Sequence, residues 1–253
     1  MNKIYVVGIG PGEYDQMTIR AARVLESCEV IVGYTVYVDL VKEHFADKIF
    51  LSAPMTREAE RCRMAFEQAA AGHVTAMICS GDAGVYGMSG LMLQIRTEYP
   101  EVDVEIVPGV TAAVSGAAVL GAPLIHDFAV ISLSDLLTPW EDIERRILAA
   151  AEADFVICFY NPSSRKRRDY LRKACDLILR FRNEDTVCGI ASNIGREGET
   201  VKICTLRELR DLETDMFTTV FAGNSRTRTV DGWMVTPRGY RTEQKCSKVR
   251  TGK

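Results

Sequence analysis

The 253-residue chain carries 31 Lys and Arg against 34 Asp and Glu, a formal charge of −3. That balance argues against a nucleic-acid partner, which calls for a concentrated basic surface. No apolar run approaches the roughly 18 residues that span a bilayer, and strand-like sequence begins at Lys3 with no room for a signal peptide, so a cytoplasmic protein without membrane contact is expected.

The length holds one large α/β domain or two of about 120 residues. In the first half, apolar runs at 3–8, 29–32, 48–51, 74–79 and 103–107 read as strands, and helices fit 17–27, 36–45, 56–71 and 88–98. Thr56 is positioned to cap the third helix and Gly72 to end it. A small-residue helix at 111–120 stops at Gly121-Ala122-Pro123, the expected boundary between a domain at 1–120 and a second at 121–240. In the second half, strands are predicted at 128–133, 155–160, 187–191, 201–204 and 218–222, with helices at 139–151, 165–182 and 206–213. A hairpin should turn at Asp231-Gly232. Beyond Pro237, six Lys and Arg against one Glu give a net +5 with little apolar content, so 241–253 reads as a loose basic tail. Eight cysteines (28, 62, 79, 158, 175, 188, 204, 246) show no C-x-x-C spacing, and several sit in apolar strands, so buried free thiols are expected.

The chemistry-bearing motifs follow strands. Gly8-Ile9-Gly10-Pro11-Gly12 follows the first, Gly81-Asp82-Ala83-Gly84-Val85-Tyr86-Gly87 the fourth and Val107-Pro108-Gly109-Val110-Thr111 the fifth. Open α/β sheets bind ligands at the carboxyl ends of their strands, so these loops should meet at one edge and face Tyr160-Asn161 across a cleft. A dinucleotide loop would need glycine where Glu13 stands, and Pro11 removes a donor; no phosphate-binding lysine is present. The loops suit a ligand that needs close backbone approach and carries no phosphate, such as S-adenosylmethionine. Asp82 is equally suited to capping a helix at 84–98.

These motifs, in this order and spacing, resemble the tetrapyrrole methylases of cobalamin and sirohaem biosynthesis. Further blocks sharpen the resemblance over residues 1–240: Ile131 to Trp140, Phe159-Tyr160-Asn161-Pro162, Gly195-Arg196-Glu197-Gly198-Glu199 and Asp215 to Thr219. They look most like the branch acting at C17 of precorrin-3B, or of its cobalt-containing counterpart, with ring contraction. The resemblance implies two consecutive α/β domains with a ligand cleft between them, a tetrapyrrole substrate and a homodimer. It also implies that Pro11, Gly81, Asp82, Val85, Tyr86, Thr111, Ala112, Tyr160, Asn193 and Asn224 line an S-adenosylmethionine pocket.

A polycarboxylate macrocycle gives Arg side chains a role, with Arg196 and Ser132 as candidate substrate contacts and Arg165-Lys166-Arg167-Arg168 as either a contact or a solvated helix turn. Ring contraction needs proton transfer, for which Asp135, Ser134 and His126 are candidates. Asp135 and Ser134 serve equally as a helix cap, and His126 as a linker residue. Three isolated histidines and scattered cysteines offer no metal cluster. Three readings remain beside the leading one: a methylase acting at another position of the pathway, a nicotinamide-dependent oxidoreductase, and a non-catalytic tetrapyrrole-binding module.

Overall fold

A computed structural model describes residues 2–164 and 167–240 of the chain. The first half forms β1 (Lys3–Gly8), α1 (Ile19–Ser27), β2 (Val30–Tyr34), α2 (Thr35–Val41), β3 (Ile49–Ala53), α3 (Glu58–Ala70), β4 (Thr75–Cys79), α4 (Ser89–Ile95) and β5 (Asp103–Val107). Its five strands make one parallel sheet in the order β3-β2-β4-β1-β5.

Alternation along these strands explains why they read as unbroken apolar runs. Val6, Val30, Val32 and Met77 pack on one face with Phe66 of α3 and Met92 of α4. Val7, Ile31, Ala76 and Ile78 pack on the other with Leu25 of α1 and Val38 of α2. Helices on both faces cover the central strands, so β2 and β4 are almost wholly apolar, whereas the edge strands β3 and β5 keep polar positions such as Ser52, Asp103 and Glu105.

The chain continues through α5 (Ala112–Leu120), β6 (Gly121–Ala122), β7 (Phe128–Ser132), α6 (Trp140–Glu152), β8 (Val156–Tyr160), α7 (Tyr170–Ile178), β9 (Val187–Ser192), β10 (Thr200–Thr205), α8 (Leu206–Leu209), β11 (Thr218–Ala222), β12 (Arg228–Val230) and β13 (Trp233–Val235). A second five-stranded sheet has the order β10-β9-β11-β8-β7. It is mixed. β7 and β8 run parallel, whereas β11 is antiparallel to both β8 and β9, and β10 to β9. One face carries Ile157, Phe159, Ile190 and Val220 against α6 and α7. The other carries Cys158, Ala191 and Phe221 against Ala113, Ala117 and Leu120 of α5. The helix α5 therefore packs on the second sheet, although it follows the last strand of the first.

β12 and β13 form the predicted hairpin, with Asp231 (φ 46°) and Gly232 (φ 83°) at its turn, and β13 also pairs with β6. Some local expectations need correction. Thr56 caps nothing: it has φ 70°, its own N–H is bonded to Glu58 Oε1, and Arg57 occupies the cap position without a side-chain bond. Gly72 does end α3 in the left-handed region, at φ 100°. The helix expected at 165–182 begins at Tyr170, so Arg167 and Arg168 precede it rather than form its first turn. Arg165, Lys166, Cys246 and the basic segment 241–253 lie outside the described residues. The other seven cysteines are buried and unpaired. No helix among the described residues is long and apolar enough to cross a membrane.

Candidate active site

The three glycine loops are stitched together at the carboxyl edge of the first sheet. Gly10 N–H donates to Gly81 O at 3.0 Å and Gly81 N–H donates to Gly10 O at 2.7 Å. Asp82 locks the third loop onto them: one carboxylate oxygen accepts from Gly84 and Val85 N–H (2.8 and 3.1 Å), the other from Gly109 N–H (2.9 Å). A side chain at Gly109 would put Cβ 2.2 Å from Gly81 O, so only glycine allows this approach. After β1 the chain enters a 3-10 turn at Tyr14–Gln16, and α1 starts only at Ile19. A dinucleotide loop opens directly onto a helix N-terminus. The nicotinamide reading is overturned by this geometry.

Residues from the second half close the site. Tyr160, at the end of β8, accepts a hydrogen bond from Ala113 N–H at 2.6 Å and sits 2.5 Å from Thr111 Oγ1. Burial pushes its phenol up to about 12, so it stays protonated at neutral pH and shares a hydroxyl–hydroxyl bond with Thr111. The Tyr86 hydroxyl reaches the outer edge of β7, donating to Val130 O and accepting from Ser132 N–H, both at 3.1 Å. Arg196 reaches back to the first half, with Nε donating to Pro11 O (3.0 Å) and Nη2 to Ser80 Oγ (2.9 Å). Its guanidinium lies 5.9 Å from the Tyr37 ring centre and 5.5 Å from that of Phe217.

Between these ties lies a cleft lined by Pro11, Gly81, Val85, Tyr86, Thr111, Ala112, Tyr160 and Asn193, eight of the ten residues expected at the cofactor. Tyr86, Asn161 and Asn193 all line it with φ near 50°, a concentration of backbone strain at one site. Tyr37, Ser80, Ile194, Met216, Phe217, Thr218 and Thr219 contribute as well. Tyr37 and the run at 216–219 were not expected there.

Two of the residues expected at the cofactor do not line the cleft. Asp82 is not among the residues lining the cleft; its carboxylate ties the loops together, and it caps no helix, since α4 starts at Ser89. Asn224 lies at the far edge of the second sheet, where Nδ2 donates to Asp154 O and Oδ1 accepts from Arg226 N–H. It follows β11, which is antiparallel to β8, so its end of the strand meets the beginning of β8 and not Tyr160.

The proton-transfer candidates separate. His126 precedes β7, about 20 Å of strand from Ser132 at roughly 3.3 Å per residue, and its Nδ1 accepts from Asp127 N–H; it is not in the site. Asp135 Oδ1 accepts from Arg167 (3.2 Å) and Oδ2 from the Tyr170 hydroxyl (2.7 Å). The Tyr170 hydrogen bond, with Arg167, holds its carboxyl below the usual range, which makes Asp135 a weak base and a firm brace. Ser134 Oγ accepts from Arg167 at 3.0 Å. Ser132 Oγ accepts from Ser134 N–H and from Nδ2 of the cleft residue Asn161, so its own proton remains to donate.

This arrangement defines an α/β protein of two large sheets with a cleft walled by backbone, aromatic rings and, among the described residues, a single guanidinium. A family model for tetrapyrrole (corrin/porphyrin) methylases matches residues 3–210, and the chain belongs to that family. A Salmonella typhimurium protein described as a probable cobalt-factor III C(17)-methyltransferase is 49% identical over 93% of this chain and 98% of its own length. A cobalt-factor III methyltransferase of Priestia megaterium is 43% identical over 94% of this chain and 45% of its own length. The crystal structure of the methyltransferase CobJ superposes with a TM-score of 0.84 at 32% identity, covering 92% of this chain and 99% of that one.

Proposed function

We propose that this protein methylates C17 of a cobalt-containing, precorrin-3-level tetrapyrrole with contraction of the ring, in cobalamin biosynthesis, using S-adenosylmethionine as donor. The observation that carries the reading is the convergence of three glycine loops on an aromatic-walled cleft, in a chain similar over 93% of its length to the Salmonella protein. Cobalt, as part of the substrate, is favoured over a metal-free macrocycle because the descriptions of both relatives, at 49% and 43% identity, name it.

The lining fits the donor. It contains no carboxylate, its loops admit close backbone approach, and Tyr37, Tyr86, Tyr160 and Phe217 offer ring faces to an adenine and a sulfonium. When bound, S-adenosylmethionine supplies an already activated methyl group. The chain's task is then alignment and exclusion of water. Tyr160 fixes Thr111 and the start of α5 against β8, and Tyr86 seals the edge of β7. Ser132 presents a hydroxyl proton to an oxygen of the macrocycle. Asp135 and Arg167 hold the Ser132–Ser134 segment in place. The two sheets act as two domains on either side of the cleft, with α5 as the crossing element. Family likeness supports a homodimer, to be checked by sedimentation. Seven buried, unpaired thiols support a cytoplasmic location.

Calorimetry separates this from other readings. Micromolar binding of S-adenosylhomocysteine with none of a nicotinamide dinucleotide is expected. The reverse pattern would overturn the reading.

A further inference from the structure

Arg196 is half-buried, and loss of hydration lowers its pKa, yet no carboxylate pairs with it among the described residues. Two of its nitrogens are spent on Pro11 O and Ser80 Oγ, leaving Nη1 without a partner. Tyr37 stands beside it, partly buried, and its hydroxyl makes no hydrogen bond among the described residues. Both residues line the cleft, and Phe217 packs on the guanidinium. A half-dehydrated cation gains from an anion that meets it, and a guanidinium edge beside a phenol matches the two oxygens of a carboxylate.

We propose that Arg196 and Tyr37 form a carboxylate subsite of the cleft, with Phe217 as its platform. This rests on the functional reading above and adds to it a recognition element for one ligand group. Two ligands could supply that group: the amino-acid end of the methyl donor, or a peripheral acid of the macrocycle.

The test is calorimetry on the full chain with three probes: S-adenosylhomocysteine, methylthioadenosine (the same nucleoside without the amino-acid end) and cobalt uroporphyrin III. Tyr37→Phe and Arg196→Gln should bind methylthioadenosine like the parent protein. Each should bind one carboxylate-bearing probe at least tenfold more weakly. Loss confined to S-adenosylhomocysteine identifies the donor as the source, and loss confined to the porphyrin identifies the macrocycle. Parental affinity of both variants for both probes would overturn the proposal. Arg196→Gln also loosens the Pro11 and Ser80 loops. If it loses methylthioadenosine, Tyr37→Phe decides, because that hydroxyl holds nothing else in the protein. Loss of methylthioadenosine in Tyr37→Phe would assign the hydroxyl to the nucleoside and overturn the carboxylate subsite. A parent protein that binds none of the probes would count against the functional reading itself.

Discussion

Tyr160 joins the two halves through a single oxygen, which accepts from the Ala113 amide in the first turn of α5 and bonds the Thr111 hydroxyl. Tyr160→Phe removes both bonds and leaves a buried N–H unsatisfied. Stability should fall by about 1 kcal/mol. Affinity for S-adenosylhomocysteine should fall about tenfold, or ~1.4 kcal/mol, by calorimetry. Unchanged affinity in a folded variant would mean that the third loop is positioned without this tyrosine. Asp135 makes a different prediction. Its carboxyl titrates below the unfolded value of 3.8, chiefly through Tyr170 and then Arg167. A group depressed in this direction contributes stability that is present above the unfolded pKa and lost as pH falls through the folded one. The urea midpoints of the parent and Asp135→Asn should therefore differ by a constant amount between about pH 7 and 5 and converge below about pH 4. A gap that persists in acid would show that the Asp135 contacts do not depend on its charge. Because the cofactor loops lie elsewhere, the variant should bind S-adenosylhomocysteine normally.

The approach of elements is set by glycines as much as by strands. At Gly12 an added Cβ would lie 1.9 Å from Gly195 O, so the β1 loop and the loop after β9 touch backbone to backbone. Gly12→Ala must push them apart. A loss of about 1–3 kcal/mol in urea unfolding, the usual cost of overpacking, should accompany weakened ligand binding. Parental stability would show that the loops have room to give. Most elements were legible because their periods were clean: all five strands of each large sheet lie within two residues of their predicted limits. Tyr160, at the end of β8, and Asn193, after β9, which runs in the same direction, both line the cleft. The rule that ligands meet carboxyl ends failed at β11, whose direction is reversed. It gave no reason to look at Phe217 to Thr219, which enter the cleft from the strand's beginning, and Asn224, expected there from the resemblance, lies at the opposite edge. Strand direction arises from long-range pairing and leaves no local mark in sequence. Tyr37 was missed because it lies inside a stretch that reads as an ordinary amphipathic helix, α2.

At the scale of the whole molecule, a parallel sheet carries the glycine loops, a mixed sheet presents Tyr160, Asn161, Asn193 and Arg196, and polar ties cross between them on different sides of the cleft. On the reading proposed above, such a site would hold donor and macrocycle in line. The direct test is to incubate the protein with cobalt-factor III and S-adenosylmethionine labelled with carbon-13 at its methyl group, then to examine the macrocycle by mass spectrometry and NMR. One labelled methyl at C17 of a ring-contracted product is predicted. Label at a different ring position would contradict the assignment to C17, and an unlabelled macrocycle, with the donor bound but intact, would contradict the assignment as a methyltransferase of this substrate.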